Sequence, residues 1–451
     1  MFNWFYSPLT QVIFMGFICL CCPGIFNSLN GLGAGGGMSS NIALIDTSNG
    51  LLYGCFCISG FISGSIVNHF GIKPTLTIGS LGYAIYSASL WVYDVKQISG
   101  FVIAAGAILG LCAGNFWSAQ GAIMMSYPDE KNKGKFIAIF WALFNIGGIL
   151  GSVISLGMNL DNQTGGVSTA TYTAFVVIML FGTILSLGLA PPSKVIRTDG
   201  SHVTVVNHST WKDELHGAIN VWREWRMVYL FPAFIASNWF YSYQFRVNSI
   251  YFNAPTRALN GTMYWAMQIV ASLLIGALLD YQRLTRRKRA IIALAIIFCT
   301  CLAVWVGGFI FQLTFSNDYN DPIHWTSQGF AGPFVLYILY GFTDALYQSY
   351  LYWLMGAMSN DPSILSRYAG FYKALQSAGA AISFGIDACN IPLKWECLIC
   401  WILVIISFPS MLLVANNVSD TNATTEDEGN GSISNNRKSE DNKYAIFFDN
   451  E

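Results

Sequence analysis

An acid inside an apolar stretch is the residue of this chain best suited to chemistry. Asp344 lies near the middle of an apolar run at 330–357, and steps of four residues place Tyr340, Asp344, Gln348 and Tyr352 on one helix face. An ionisable group at membrane depth is costly and marks a functional site by default, and a buried carboxyl can bind and release a proton near neutral pH. The stripe predicts a site for a solute or a proton. A structural acid, hydrogen-bonded to neighbouring helices, is the alternative.

A second charge, Lys373, lies about six residues into the run at 367–387, which is about 9 Å along a helix. It either faces a cavity or extends to the membrane surface, as long basic side chains do. Polar residues in the first half of the chain either line the same cavity or join helices without binding anything. These residues are Asn115, Gln120, Trp141 and Asn145.

Three more charges fall near the outer ends of their apolar runs, namely Asp46, Arg246 and Asp387. Their similar depth allows them to pair, which predicts a charged outer gate between the two halves of the chain. The alternative is that each side chain simply reaches external water.

The elements that position these residues are twelve apolar runs, nearly all long enough to cross a bilayer. A hydrocarbon core of roughly 30 Å takes about 20 helical residues, and inside it only helices or a closed barrel satisfy the backbone. The runs show no two-residue alternation, which favours helices, and the content of 54% hydrophobic and 10% charged residues agrees. The sequence predicts an all-α polytopic membrane protein. The predicted spans are roughly 9–29, 42–66, 75–93, 98–122, 136–159, 171–190, 228–250, 262–280, 290–313, 330–357, 367–387 and 395–415.

The runs form two sets of six around a polar segment. Most of the 23 Lys and Arg fall in loops on one side of this topology, which predicts that this side and both termini are cytoplasmic. Sequons at Asn162 and Asn260 then fall in external loops and are candidate glycosylation sites. The predicted parts are an N-terminal six-helix half at 1–190, a cytoplasmic central loop at 191–227, a C-terminal six-helix half at 228–415 and a disordered cytoplasmic tail at 416–451.

Several classes of function are excluded by composition. A net charge of -1, with basic residues gathered in short loops beside helix ends and forming no broad patch, argues against a nucleic-acid partner. Most of the 11 cysteines lie in apolar runs without a histidine cluster, so we expect small buried hydrophobes and no metal. No recognisable catalytic motif or phosphate-binding loop is present, so we expect neither an enzyme nor a bound cofactor. The expected partners are the lipid bilayer, a small solute or another membrane protein.

A loop motif recurs at the predicted cytoplasmic ends of the second and eighth runs. Gly64, Asn68, Gly71 and Lys73 form it in the first half, and Asp280 occupies the matching place in the second. The motif resembles a signature of the major facilitator superfamily, in which an acid and a base tie the inner helix ends together. The resemblance implies an inner gate built from these residues. Asn68 stands where that family usually has an aspartate. The second half keeps the acid, at Asp280.

Four further segments resemble the fungal, ion-channel-regulator-like branch of that superfamily, the uncoordinated ninety-three-like family. The segments are 22–33, 117–128, 223–226 and 237–245. The resemblance runs from about residue 8 to 415 and implies the facilitator fold, with two pseudo-symmetric halves of six helices. Members of this family differ in whether they transport solutes or regulate other membrane proteins.

The sequence therefore supports two functions. The first is secondary transport of a small solute by alternating access, coupled to protons through Asp344. The second is regulation or chaperoning of another membrane protein, bound through the lipid-facing surface. The acid at mid-membrane depth favours the first, because a pure scaffold has little need of one.

Overall fold

Long helices account for nearly all of the chain that the structure describes. A computed structural model describes residues 4–31, 42–158, 169–197, 200, 203, 210–314 and 322–422. The first-half helices are α1 (Pro8–Cys19), a π-helix (Leu20–Gly24), α2 (Ile25–Gly31), α3 (Ile42–Phe70), α4 (Ile72–Lys96), α5 (Ser99–Ser126), α6 (Lys133–Met158) and α7 (Thr169–Ser186). The segment between the halves carries a 3-10 helix (Pro192–Lys194), α8 (Trp211–Arg223) and α9 (Trp225–Tyr229). The second-half helices are α10 (Phe231–Tyr251), α11 (Ala254–Leu279), α12 (Arg286–Thr314), α13 (Ala331–Gly356), α14 (Pro362–Ala388) and α15 (Leu393–Asn416).

Each half contains six long helical segments, as the sequence predicts, when α1, the π-helix and α2 are taken as one. Eight helices of the described ranges are long and apolar enough to cross a membrane by length and composition. The other four segments, α4, α10, α13 and α14, are richer in Tyr, Ser and other polar residues. Three of these, α10, α13 and α14, carry the polar residues of the site described below.

The first segment changes its helical form at a proline. Pro23 lies inside the π-helix, where it lacks a backbone N–H and its ring crowds the preceding turn. A wider π turn relieves that conflict without ending the helix. The distortion lies beside the cavity between the halves, because Pro23 is one of its lining residues.

Glycines allow neighbouring helices to approach closely. A Cβ atom on Gly110 of α5 would lie 2.2 Å from the carbonyl oxygen of Leu52 on α3. One on Gly147 of α6 would lie 2.3 Å from the carbonyl oxygen of Leu20 in the first segment. Membrane helices associate through such close packing, because lipid supplies no hydrophobic driving force between them.

Large apolar side chains also cover the outside of the bundle. Ile58, Ile184 and Ile310 are each more than half exposed, on three different helices. A soluble protein rarely leaves so much apolar surface uncovered. The bundle therefore has an apolar exterior suited to lipid.

The two halves touch at the end of the bundle that carries residues 187–230, which we call the linker end. A Cβ atom on Gly64 of α3 would lie 2.6 Å from Arg367 Cα on α14, and one on Gly134 of α6 would lie 2.7 Å from the Gly276 carbonyl oxygen on α11. At both places helices from different halves meet nearly backbone to backbone. The halves are therefore closed against each other at the linker end.

The two predicted polar segments are more structured than the sequence suggests. Within the predicted central loop, α8 begins at a capping box in which Thr210 and Asp213 each bond the other's backbone. The predicted disordered tail begins with docked residues, since Asp420 accepts a hydrogen bond from the Arg286 N–H and the Asn422 N–H donates to Glu130. Docking of 417–422 corrects the expectation of disorder there, and residues 423–451 lie outside the described ranges.

Candidate functional site

A cavity lies between the two halves, and its two walls differ in chemistry. Its empty volume, including the open mouth, is about 570 Å³. The first-half wall is mainly aromatic and aliphatic, with Tyr53, Trp117 and Trp141 among its residues. The second-half wall is polar and carries a cation. Its lining residues are Asn238, Tyr241, Gln348, Lys373 and Gln376.

Asp344 lies behind the second-half wall, where four polar side chains surround its carboxylate. The Tyr241 hydroxyl donates to Oδ2 at 2.7 Å, and the Gln268 amide donates to the same oxygen at 3.0 Å. The Gln348 amide donates to Oδ1 at 2.6 Å, and the Tyr264 hydroxyl lies 3.3 Å from Oδ2. Asp344 is only 1% exposed. The Tyr264 hydroxyl is closer to Gln244 Oε1, at 2.8 Å, so Tyr241, Gln268 and Gln348 are the clear donors. Three donors suit the ionised carboxylate, which can only accept.

A chain of hydrogen bonds connects Asp344 to Lys373. The Lys373 ammonium donates to Gln376 Oε1 at 2.6 Å, and the Gln376 amide donates to Gln348 Oε1 at 2.9 Å. Gln348 in turn donates to Asp344. Because an ammonium can only donate and a carboxylate can only accept, the two ends fix the orientation of both glutamine amides. The chain is therefore polarised from the cation to the anion.

Lys373 faces the cavity and does not extend to the surface. Its Nζ lies 4.3 Å from the Trp117 ring centroid, 5.1 Å from that of Tyr372 and 5.4 Å from that of Tyr352. The side chain is 4% exposed. The surface alternative is wrong because the lysine points into the bundle, where three aromatic faces and one amide oxygen receive its charge.

Only part of the predicted first-half set lies at the cavity. Trp141 lines it, while Gln120 lies between the halves, with its Oε1 3.5 Å from the Tyr352 hydroxyl. Asn115 donates to the Leu111 carbonyl of its own helix, and Asn145 donates likewise to that of Trp141. For Asn115 and Asn145 the helix-internal contact replaces the expected cavity position.

The stripe predicted on α13 also divides. Gln348 lines the cavity and Asp344 lies behind it, but Tyr340 pairs with the Tyr243 hydroxyl at 3.3 Å within the second half. Residues at four-residue steps lie at successive levels along the helix, so they meet different neighbouring side chains. Tyr340 is therefore part of the protein interior and not of the cavity wall.

The sequence interpretation missed residues contributed by other helices. Asn238 and Tyr241 come from α10, and Gln268 comes from α11. Asn238, Tyr241 and Trp117 lie inside the segments that resemble the uncoordinated ninety-three-like family, which was the available signal. Gln376 had another signal in the sequence. Phe371, Tyr372, Gln376 and Gly379 of α14 repeat the spacing of Phe140, Trp141, Asn145 and Gly148 of α6, so Gln376 matches Asn145.

Comparison with known proteins settles the family. A family model described as Major Facilitator Superfamily matches residues 12–384. The chain belongs to the Major Facilitator Superfamily. Within that superfamily it is 43% identical over 405 residues to an UNC93-like protein of Schizosaccharomyces pombe, an alignment covering 88% of this chain and 80% of the relative. It is 39% identical over 416 residues to UNC93-like protein 1 of Arabidopsis thaliana, with 91% and 90% of the two chains covered.

A solved structure agrees with the facilitator fold. The crystal structure of the fucose:proton symporter of E. coli superposes with a TM-score of 0.63 and covers 92% of this chain and 99% of its own. At 12% sequence identity the likeness concerns the fold alone. The predicted family resemblance and the predicted architecture of twelve transmembrane helices in two halves are both confirmed, and a transporter-type role follows from them.

The linker end of this facilitator carries an acid in place of the one that the motif lacks. Glu214 of α8 accepts hydrogen bonds from Arg367 Nη2 at 2.9 Å and Nε at 3.2 Å, and from the Asn68 amide at 3.2 Å. Asn68 also donates to the Ser363 carbonyl and accepts from the Ser366 hydroxyl. The carboxylate of one linker residue thus joins α3 of the first half to α14 of the second.

Asp280 forms the corresponding contact on the other side of the linker end. Its two carboxylate oxygens accept from the backbone N–H groups of Gly134 at 2.8 Å and Lys135 at 2.5 Å, at the start of α6. A carboxylate at a helix N-terminus satisfies unpaired donors and faces the positive end of the helix dipole. Burial raises the pKa of Asp280 to about 6, against the opposing effect of those two hydrogen bonds.

The remaining motif residues have different surroundings. Gly64 is a contact between the halves, and Gly71 has a φ of 90°, a conformation that favours glycine, at the turn between α3 and α4. Lys73 is partly exposed in the first turn of α4. Lys133, which the sequence interpretation missed, is buried and donates to the Ser359 carbonyl and to Asn360 Oδ1, each at 3.0 Å.

The predicted outer gate is an ion cluster within one half. Arg246 Nη1 lies 2.7 Å from Asp387 Oδ1 and 2.6 Å from Oε1 of Glu396, a partner that the sequence interpretation missed. These residues belong to α10, α14 and α15, all in the second half. The pairing of Arg246 with Asp387 is thus present, but it does not bridge the halves. The side chain of Asp46 lies outside the described residues.

The two candidate glycosylation sites also differ from expectation. Asn260 lies inside α11, is fully buried and donates to Asn248 Oδ1 at 2.9 Å. A buried, hydrogen-bonded asparagine in a helix cannot present its amide to a glycosylating enzyme, so this expectation is corrected. Asn162 lies outside the described residues.

Proposed function

We propose that this facilitator is a secondary transporter that moves a small solute by alternating access, with Asp344 as the group that takes up and releases a proton. The observation that carries the proposal is the polarised chain of hydrogen bonds from Lys373 to Asp344 in the second-half wall of the cavity. Ionisable groups at membrane depth are costly to keep. Sites between repeated halves are where transporters of this architecture bind their cargo.

The chain of hydrogen bonds gives a physical route for coupling proton binding to solute binding. Protonation of Asp344 makes its carboxyl a donor at one oxygen, so it changes the hydrogen bonds of the groups that now donate to it. Gln348 is one of those groups and also lines the cavity. A proton at Asp344 and a solute in the cavity therefore act on the same glutamine. Each changes the binding free energy of the other, as coupling requires.

The contacts at the linker end support a rocking motion of the halves. They include polar contacts, such as Glu214 with Arg367 and Asp280 with the start of α6, beside apolar ones such as Phe61 with Phe371. Polar contacts that water can replace cost less to separate than a continuous apolar interface of the same extent. Opening at this end would exchange those polar partners for water and would also separate Phe61 from Phe371.

Transport into liposomes tests the proposal. We would reconstitute the purified protein with a pH-sensitive dye inside, and add sugars, amino acids, organic acids and inorganic ions in turn under an imposed proton gradient. We expect one solute class to drive proton movement, and Asp344→Asn to abolish that movement while solute exchange without a gradient persists. Asp94→Asn, which changes an exposed acid at the end of α4, is the matched control and should behave as wild type.

Two results would count against the proposal. Proton movement that survives Asp344→Asn would remove the acid from the coupling step. Absence of movement with every solute, together with another membrane protein that co-purifies in fixed ratio, would favour the regulator or trafficking chaperone.

A further inference from the structure

Resting on the proposed function, we infer that the solute is a small organic anion with an apolar or aromatic body, and that Lys373 receives its negative group. The inference begins from an imbalance of charge at the cavity wall. Lys373 lines the cavity, whereas Asp344 is not among the lining residues and is covered by Tyr241 and Gln348. A solute that enters meets the cation first and the anion only through intervening polar groups.

Lys373 also lacks an acid in contact. Among the described residues, none places a carboxylate within ion-pair distance of its ammonium, although Asp344 acts on it electrostatically over a longer distance. Within the described ranges, its ammonium donates one hydrogen bond, to the neutral Gln376 Oε1. An ammonium has three donors, so the present partner leaves capacity for others. A buried charge without a contacting counter-ion is costly, and an anionic ligand would offset that cost.

The aromatic groups around Lys373 favour a particular kind of anion. Trp117 lies under the ammonium and also lines the cavity, beside Trp141 and Tyr53. Such ring faces contact apolar and aromatic groups favourably but offer little to a heavily hydrated inorganic ion. The first-half wall therefore suits the body of the solute, and the second-half wall suits its charge.

The polar side chains beside Lys373 also suit an organic anion. Asn238, Gln348 and Gln376 are amides that reach the cavity beside Lys373. Amide N–H groups can donate to a second carboxylate oxygen, and their carbonyls can accept from a hydroxyl or amine on the solute. A carboxylate seated on Lys373 would share the ammonium with Gln376 Oε1 and weaken the pull of the ammonium on that oxygen. The solute would thereby act on the chain that ends at Asp344.

A trio of probes with the same ring and different charge tests the inference. We would measure the thermal unfolding of the purified protein with benzoate, benzamide and benzylamine, each up to its solubility limit. Benzoate should raise the Tm of the wild type, and the neutral and cationic probes should raise it far less. Lys373→Met should weaken benzoate binding at least tenfold, and Lys373→Arg should retain much of it.

The chain offers a close control for the variant. Lys394 also lies over a tryptophan, 5.5 Å from the Trp395 ring centroid, but it is exposed and outside the cavity. Lys394→Met should leave benzoate binding unchanged. Benzamide binding equal to benzoate binding, benzoate binding unaffected by Lys373→Met, or no benzoate shift in the wild type would each overturn the inference.

Failure here is distinguishable from failure of the transport proposal. If reconstituted wild type moves a neutral or cationic solute, and Lys373→Met moves it equally well, then the protein is a transporter but Lys373 does not select anions. If wild type moves nothing in that assay, the transport proposal itself fails.

Discussion

Charged side chains at the two ends of the bundle are arranged differently. At the linker end, Glu214 bonds groups of both halves, and Asp280 of the second half bonds the backbone of the first. At the other end, Arg246, Asp387 and Glu396 bond one another within the second half. A charge that joins the halves must lose its partners when the halves separate, whereas one within a half need not. Of these charges, all in the described part of the chain, those at the linker end have the geometry of a gate between the halves.

The largest effect should come from removing the centre of the cluster within the second half. Arg246→Ala leaves Asp387 and the nearly buried Glu396 close together without a cation. Breaking a buried ion pair from one side costs about 3 kcal/mol or more. We expect that loss in the free energy of unfolding, measured by denaturant titration in detergent.

The same variant also tests whether the two ends of the bundle are independent of each other. Arg246→Ala should leave amide hydrogen exchange in α8 unchanged, because no contact of Arg246 crosses to the linker end. Faster exchange in α8 would show that the two ends are energetically connected. Arg246→Lys keeps the charge and should recover part of the stability.

A smaller effect is expected at the linker end. Glu214→Gln removes the ion pair with Arg367, and hydrogen bonds to charged groups contribute about 2 kcal/mol. We expect this loss to appear as faster amide hydrogen exchange in α8 and the first turns of α14, with little change in global unfolding. Lys212→Gln, an exposed change on the same helix, is the control. Equal exchange in Glu214→Gln and wild type would mean that Glu214 does not hold the halves together.

The pH response of the linker end should follow Asp280. Its pKa is raised to about 6 in the folded protein, so the folded chain binds a proton relative to the unfolded chain. The resulting stabilisation is complete below the ordinary carboxyl pKa of about 4 and is lost as pH rises to about 6. The Asp280 contribution to the free energy of unfolding, measured by denaturant titration in detergent, should therefore be larger at pH 5 than at pH 7.

Asp280→Asn provides the test of that assignment. The amide cannot ionise, so the change in the free energy of unfolding that Asp280 causes between pH 5 and pH 7 should be absent from this variant. A pH response that persists unchanged in Asp280→Asn would assign it to another group. Asp94→Asn, at an exposed acid away from this contact, should keep the wild-type response.

The smallest effect is expected from Asp387→Asn. The amide oxygen can still accept from Arg246, and the pair between Arg246 and Glu396 remains. The cost should be about 1 kcal/mol in the free energy of unfolding, as for an ordinary hydrogen bond. A cost equal to that of Arg246→Ala would contradict the shared-cation arrangement.

The sequence predicted the cavity chemistry only in part. Asp344 and Gln348 were identified, because an acid in an apolar run is conspicuous and four-residue spacing places its neighbours on the same helix face. Lys373 remained ambiguous because its depth in the helix allowed either direction. Asn115 and Asn145 were wrong for the cavity because their amides bond their own helices. A polar residue type does not reveal which acceptor it will find.

The gate residues were also predicted only in part. The motif around Asn68 indicated a missing acid, but no local pattern identified Glu214, which is 146 residues away and reaches Asn68 only after α8 folds onto the bundle. Equal depth correctly paired Arg246 with Asp387. It could not tell that both helices belong to the same side of the interface, because depth contains no information on the angular position of a helix in the bundle.

The sequence by itself determined the membrane class, the twelve helical segments, their division into two halves and the family. These follow from the length and hydrophobicity of each run, which are local properties that the bilayer imposes one helix at a time. The tertiary structure decided the direction of Lys373, the glutamine chain to Asp344, the role of Glu214 and the containment of Arg246 within one half. Each of these depends on which helix faces meet, and packing between helices distant in the sequence sets that outcome.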